Sequence, residues 1–395
     1  MKKRLSAVFL VAMLFLCSIY TVFAEGAAQP SIDSSGTDLE IRGKAAILME
    51  LSTGKILYAK NEHEPLEPAS ITKVMTMTLV LERIGQGTLQ FEDIVTASAN
   101  AKSMGGSEIY LDTGEQMSVY DLMMATAVAS ANDAAVALGE HLSGGSEEAF
   151  AEMMNAKAKE LGMNETHFVN ACGLHEDGHI TSAYDIALMS RHFIQLPEAQ
   201  TFTKQDIYPI REGVREYKMR NSNALVRTYE GCIGIKTGFT NEAGYCLSAG
   251  ATRDGETFIG VILGASSSAE RNEDMAKLLD YGFAHFETYE IPVEQVIVEP
   301  IPVVLGLKDK VEVVVPDLIV PNQVIAKGAV PEVDMKVTLD ENVKAPFEAG
   351  HKVGTIEVVM DGALVQSFDL TTKEEVGKRT FWKAFAILLK KIISM

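Results

Sequence analysis

Residues 68–75 read Pro68-Ala69-Ser70-Ile71-Thr72-Lys73-Val74-Met75, and apolar residues recur at 77, 79, 80, 81 and 84 before the run stops at Gly85. Pro68 has a backbone angle suited to a helix start. With apolar residues on nearly all sides, Ile71 to Ile84 is expected as a buried helix. Ser70 then lies in the first turn, where unpaired N–H groups and the positive end of the helix dipole favour a developing anion. Lys73 follows one turn on, on the same face and within reach of the Ser70 hydroxyl. Burial penalises an ammonium and pushes it toward the neutral amine, a usable base. A polar helix tip with a snorkelling lysine is the alternative, since a four-residue pattern decides nothing alone.

Ahead of this helix, Ala45 to Glu50 and Lys55 to Tyr58 flank Ser52-Thr53-Gly54, a strand–turn–strand pattern. Behind it, Ser118 to Leu142 is a second helical zone, opened by Ser118 and Asp121 as a loosened capping box. Ser130-Ala131-Asn132-Asp133 interrupts its apolar, alanine-rich run. These polar side chains compete for backbone hydrogen bonds, so a break between two helices is expected there, either a structural kink or part of a site. Helices are also expected over Glu147 to Leu161 and Ala183 to Leu196. The intervening loop contains His175-Glu176-Asp177-Gly178-His179, which matches a zinc-peptidase pattern. That pattern works only on a helix, and Gly173 and Gly178 argue against one, so no metal is expected to bind through it.

Residues 207–270 alternate like an antiparallel sheet, with Cys232 to Thr240, Gly244 to Ala251 and Phe258 to Ala265 as strands, and Arg271 to Phe286 as a helix returning onto it. The first strand carries Lys236-Thr237-Gly238-Phe239. A lysine there is either a solvated edge residue or part of a ligand site. From about 292 the pattern changes to short strands, including 296–298, 311–315, 318–320, 335–339, 354–359 and 364–368, expected as a small all-β sandwich. At 100° per residue, Phe381, Trp382, Phe385, Leu388, Leu389 and Ile392 share one face, opposite Arg379, Lys383 and Lys390. The longest uncharged run is far short of the ~20 residues a spanning helix needs, so this tail is expected to lie in a membrane interface.

The 395-residue length leaves room for two domains, and a formal charge of −19 argues against nucleic acid as a partner. Lys2, Lys3 and Arg4, an apolar stretch from Val8 to Tyr20, and Val22-Phe23-Ala24 fit a secretory signal over 1–24, with cleavage after Ala24. Leu16 before Cys17 is too large for a lipoprotein site. Cys172, Cys232 and Cys246 do not form a disulfide framework, though a Cys232–Cys246 bridge stays open. The expected organisation is a lead-in over 25–40, a catalytic domain over 41–291, a β-sandwich over 292–372 and an amphipathic helix over 373–395.

Three short motifs thus occur in one order: Ser70-x-x-Lys73, Ser130-x-Asn132 and Lys236-Thr237-Gly238. Together with His179-Ile180-Thr181-Ser182-Ala183-Tyr184-Asp185, they make residues 40–395 resemble the D-alanyl-D-alanine carboxypeptidases among the low-molecular-mass penicillin-binding proteins. The resemblance implies an α/β (α+β) penicillin-binding, β-lactamase-like transpeptidase domain, an antiparallel sheet flanked by helices. It implies Ser70 as nucleophile, Lys73 as base and Ser130 as proton relay. Asn132 would hold the substrate amide, Lys236 and Thr237 its carboxylate, and the Ser70 and Phe239 N–H groups the oxyanion, with Gly238 allowing close approach. Peptidoglycan stem peptides and β-lactams would be its partners, with no cofactor, at the outer face of the cytoplasmic membrane. Ser222 in Asn221-Ser222-Asn223 stands where several relatives carry arginine, leaving Arg220 or Arg227 as substitutes. Phe239 stands where many carry histidine. A cross-link-cutting endopeptidase and a β-lactam sensor or wall-binding scaffold remain rivals. A β-lactamase is disfavoured because no convincing glutamate-bearing loop is found.

Overall fold

The computed structural model describes residues 39–383, 385, 392 and 393; the expected signal and lead-in over 1–38 lie outside them. A five-stranded antiparallel sheet forms the centre. Its strands are β1 (Ala45–Glu50), β2 (Ile56–Lys60), β3 (Cys232–Thr240), β4 (Gly244–Arg253) and β5 (Glu256–Ala265), in the order β2-β1-β5-β4-β3. Chain ends distant in sequence meet here, because β1 pairs with β5 from Ala45 opposite Leu263 to Glu50 opposite Phe258. The turn between β1 and β2 is held by the Glu50 carboxylate, which accepts from the Ser52 and Thr53 N–H groups at 2.7 Å each.

Alternation along β1 divides two apolar cores. Ala45, Ile47 and Met49 face one that includes Val74, Met77 and Val80 of α1 (Lys73–Gly85). Ala46 and Leu48 face the other, with Met275, Leu278 and Leu279 of the C-terminal helix Ser268–His285. Every residue of β1 is buried, as expected for a strand covered on both faces. Each fully buried aliphatic side chain contributes about 1.5–3 kcal/mol, so this layering fixes the sheet against α1 and hence against Ser70.

Helices fall near their expected places: α2 (Val119–Met124), α3 (Asn132–Ser143), α4 (Glu147–Glu160) and α5 (Ala183–Gln195). The Ser118 hydroxyl accepts from the Asp121 N–H and donates to its carboxylate, a capping contact. The break appears as a π-helical turn, Ala125–Ala129, followed by Ser130 at φ 59° and a new helix from Asn132. One difference concerns Ser70 itself. It sits on a 3₁₀ turn, Ala69–Thr72, and α1 begins only at Lys73. Ala69 at φ 47° prevents a regular helical entry.

The C-terminal β region contains a three-stranded sheet (Lys310–Val311, Ile301–Val304, Val343–Lys344) and a four-stranded sheet (Val313–Val314, Ala363–Thr372, Lys352–Met360, Val333–Leu339). They share a core of Ile301, Val311, Val353, Ile356 and Leu370. The strands expected at 296–298 and 318–320 do not form. Pro316 and Pro321 bracket the second segment and remove ladder donors. The chain instead pairs Gln323–Ala326 with Phe286–Tyr289, directly after the C-terminal helix. Phe381, Trp382 and Phe385 are helical and at least half exposed, whereas Leu388 and Leu389 of the expected stripe lie outside the described residues.

Candidate active site

The 3₁₀ turn, the Ser130 break and strand β3 converge. Gly173 (φ +81°) allows the 170s loop to approach: a Cβ there would lie 1.9 Å from the Ala69 carbonyl oxygen. Gly238 does the same for β3, where an added Cβ would lie 2.8 Å from the Pro68 oxygen and 3.2 Å from the Ser70 amide nitrogen. A side chain at either position would push a wall of the site away from Ser70.

Lys73 is fully buried, and its Nζ lies 3.0 Å from Ser70 Oγ, 2.6 Å from Asn132 Oδ1 and 2.6 Å from the Cys172 carbonyl oxygen. Burial is the main cause that lowers its pKa to about 8, opposed by the negative potential of Cys172 and Asp133. Asn132 is held by donating through Nδ2 to the Gly105 carbonyl, while its own N–H donates to the Ser107 oxygen at 2.7 Å. Next to it, the buried Asp133 carboxylate accepts from the Ile109 and Leu111 N–H groups and fixes the 105–111 loop.

Lys236 is likewise buried, and Nζ donates to Ser130 Oγ at 2.8 Å and to the Thr237 carbonyl at 3.0 Å. Burial, then the Lys73 and Arg271 charges, hold its pKa well below the usual lysine value. The Thr237 and Ser222 hydroxyls are 2.7 Å apart. Phe239 is half exposed and its ring packs on Tyr245 with centroids 4.4 Å apart. All eight residues singled out by the motifs and the resemblance therefore lie on elements that meet at one place. The elements that meet are the 3₁₀ turn and α1, the Ser130 break, and β3.

The basic groups do not fall as the sequence suggested. Arg227 is engaged by Asp206 at 2.8 Å and by the Asn221 carbonyl, and Arg220 is exposed at the end of the strand Tyr217–Arg220. Besides Lys73, Arg271 is a cation whose charge reaches Lys236; it is buried and donates to the Cys246 carbonyl. Its cue was a lone arginine in the first turn of an amphipathic helix, which carries no signal by itself. The Cys172 carbonyl was equally invisible, since a backbone acceptor leaves no mark on residue type. His175–His179 forms no helix. His179 Nδ1 accepts from the Val169 N–H, so Nε2–H donates to Thr72 Oγ1, which in turn donates to the Ala69 carbonyl. Burial lowers the His179 pKa to about 4 and keeps this ring neutral. Cys172, Cys232 and Cys246 are free, so the Cys232–Cys246 bridge does not form.

A buried amine bonded to a half-buried serine hydroxyl, with a second serine–lysine pair nearby, defines a serine enzyme of the acyl-transfer class. The family profile described as D-alanyl-D-alanine carboxypeptidase matches residues 30–267, and that of the penicillin-binding protein 5 C-terminal domain matches residues 286–378. The chain belongs to the D-alanyl-D-alanine carboxypeptidase family. It is 37% identical over 382 residues to D-alanyl-D-alanine carboxypeptidase DacF of Bacillus subtilis (strain 168), covering 96% of each chain. It is 33% identical over 389 residues to DacD of Escherichia coli (strain K12), again covering 96% of both. Among solved structures, penicillin-binding protein 5 from Haemophilus influenzae matches with TM-score 0.73 and 32% identity, over 87% of this chain and 99% of that one. Penicillin-binding protein D2 from Listeria monocytogenes, solved in an ampicillin-bound form, matches with TM-score 0.57 and 33% identity, over 62% of this chain and 100% of that one.

Proposed function

We propose that this serine carboxypeptidase removes the terminal D-alanine from peptidoglycan pentapeptide stems through an ester on Ser70. The observation that carries this is the 3.0 Å approach of a lysine amine with pKa about 8 to the Ser70 hydroxyl. As a neutral amine, Lys73 keeps two N–H donors for Asn132 Oδ1 and the Cys172 carbonyl, and its lone pair faces Ser70 Oγ. It takes the hydroxyl proton as Oγ attacks the carbonyl between the two D-alanines. Ser130, bonded to Lys236, relays that proton from Lys73 to the departing amine, which returns Lys73 to the neutral form as D-alanine leaves. Water activated by Lys73 then cleaves the ester and restores Ser70. The Ser70 and Phe239 N–H groups hold the oxyanion, a contribution of ~10²–10³ in rate per donor. Asn132 binds the substrate amide, and Lys236 with Thr237 binds the terminal carboxylate. A β-lactam resembles the D-Ala-D-Ala end, so it acylates Ser70 and stays.

The family acts on peptidoglycan outside the cytoplasm. Among the described residues, no helix is long and apolar enough to cross a membrane. The expected division into a signal (1–24), a catalytic domain (41–291), a β domain (292–372) and an amphipathic tail (373–395) supports attachment by the tail, with the β domain holding the catalytic domain away from the lipid. Release of free D-alanine from a pentapeptide, compared with cleavage of a cross-linked dimer, tests the reaction. Preferential dimer cleavage favours the endopeptidase, and penicillin binding without release of either product favours the sensor.

A further inference from the structure

Three groups outside the catalytic set come together close in sequence to the Ser70 turn, the loop after Cys172 and the end of β3: Glu67, His175 and Glu242. Each offers one ligand atom, and these atoms lie within 4.8 Å of one another. They come from separate segments. Glu67 precedes Pro68 and the Ser70 turn, Glu242 sits in the β3–β4 turn just beyond Phe239, and His175 follows the Cys172–Gly173 stretch. His175 Nδ1 is 2.9 Å from Glu67 Oε1. Among the described residues, neither Glu67 nor Glu242 has an ion pair with a lysine or arginine. The imidazole thus bonds to the Glu67 carboxylate, and its ligand atom lies within 4.8 Å of that of Glu242.

We propose that Glu67, His175 and Glu242 form a binding site for a divalent transition metal of the zinc class, with water completing the shell. One imidazole nitrogen and two carboxylate oxygens are a donor set that zinc accepts, whereas calcium and magnesium prefer oxygen alone. Tetrahedral zinc needs donor–donor separations of about 3.5 Å, reached from 4.8 Å by rotating the exposed Glu242 and His175 side chains. The metal binds the lone pair of one ring nitrogen, so protonation of the ring competes with uptake. This arrangement differs from the His-x-x-x-His pattern that His175 shares with His179. Both ring nitrogens of His179 are already engaged by Val169 and Thr72. A bound ion ties the nucleophile turn, the β3–β4 turn and the loop beside Lys73 to one another.

The test is calorimetric titration of zinc, and absorption spectroscopy with cobalt, on the EDTA-treated full chain in detergent. The expected result is saturable uptake of one equivalent and a thermal midpoint that rises with zinc concentration. His175→Ala and Glu242→Gln should each weaken uptake by at least about tenfold and abolish the midpoint shift. Urea unfolding of the metal-free variants at wild-type midpoints confirms that they fold. No saturable uptake, uptake undiminished in both variants, or calcium binding in preference to zinc would each overturn the proposal.

Discussion

Lys73 Nζ lies 3.0 Å from Ser70 Oγ while the same nitrogen reaches Asn132 Oδ1 and the Cys172 carbonyl at 2.6 Å each. Three acceptors satisfy an ammonium, and two of them satisfy a neutral amine. Losing a proton therefore breaks no buried contact and only reverses the bond to Ser70.

Acylation should follow the neutral fraction of Lys73. With a pKa of about 8, roughly a tenth of the amine is neutral at pH 7. The second-order rate of penicillin acylation should rise about tenfold per pH unit below 8 and level off above it. Lys73→Met should lower that rate by ~10²–10⁴ and abolish the rise. A stopped-flow pH profile checks both.

Ser222 Oγ is 2.7 Å from Thr237 Oγ1, so a longer cationic side chain at 222 starts beside the hydroxyl assigned to the substrate carboxylate. Ser222→Arg should lower KM for a pentapeptide several-fold with kcat little changed, because it adds binding shared by ground and transition states. Ser222→Ala should stay near wild type. Steady-state D-alanine release distinguishes these outcomes.

His179 is neutral in the fold, with its pKa lowered to about 4 by burial, and near 6.5 when unfolded. Between those values the unfolded chain binds more protons, so this group's contribution to stability falls as pH drops from about 6.5 toward 4, by about 3 kcal/mol in all. Asp185, whose pKa burial raises, acts in the opposite direction. The comparison must therefore be wild type against His179→Phe. Urea unfolding should show a smaller loss of stability on acidification in the variant.

Phe381, Trp382, Phe385 and Ile392 are all at least half exposed. If this face enters a lipid interface, deleting 380–395 should move active, penicillin-binding protein from the membrane to the soluble fraction. Retention at the membrane would count against the tail as anchor.

The fold was legible where periodicity is long or local chemistry is strong. The apolar run after Ser70, the polar break at Ser130 and the strands at 232–240 and 258–265 all appear where the residues point. The strands expected at 296–298 and 318–320 fail; Pro316 and Pro321 flank the second triplet and cannot donate to a ladder, while nothing in the residue types sets the first apart from a strand. The candidate site was legible in its side chains, because the chemistry assigned to them restricts the residue types. It was illegible in the Cys172 carbonyl and in Arg271, whose contributions depend on where the backbone brings them. The 3₁₀ entry at Ser70 escaped for a related reason, because nothing about alanine as a residue type announces φ 47° at Ala69.

Covalent labelling by a fluorescent penicillin tests the central claim most directly. Purified wild-type protein should carry one label per chain, located by mass spectrometry on the peptide containing Ser70, and Ser70→Ala should carry none. A wild type that stays unlabelled, or a Ser70→Ala variant labelled equally well, would contradict the account.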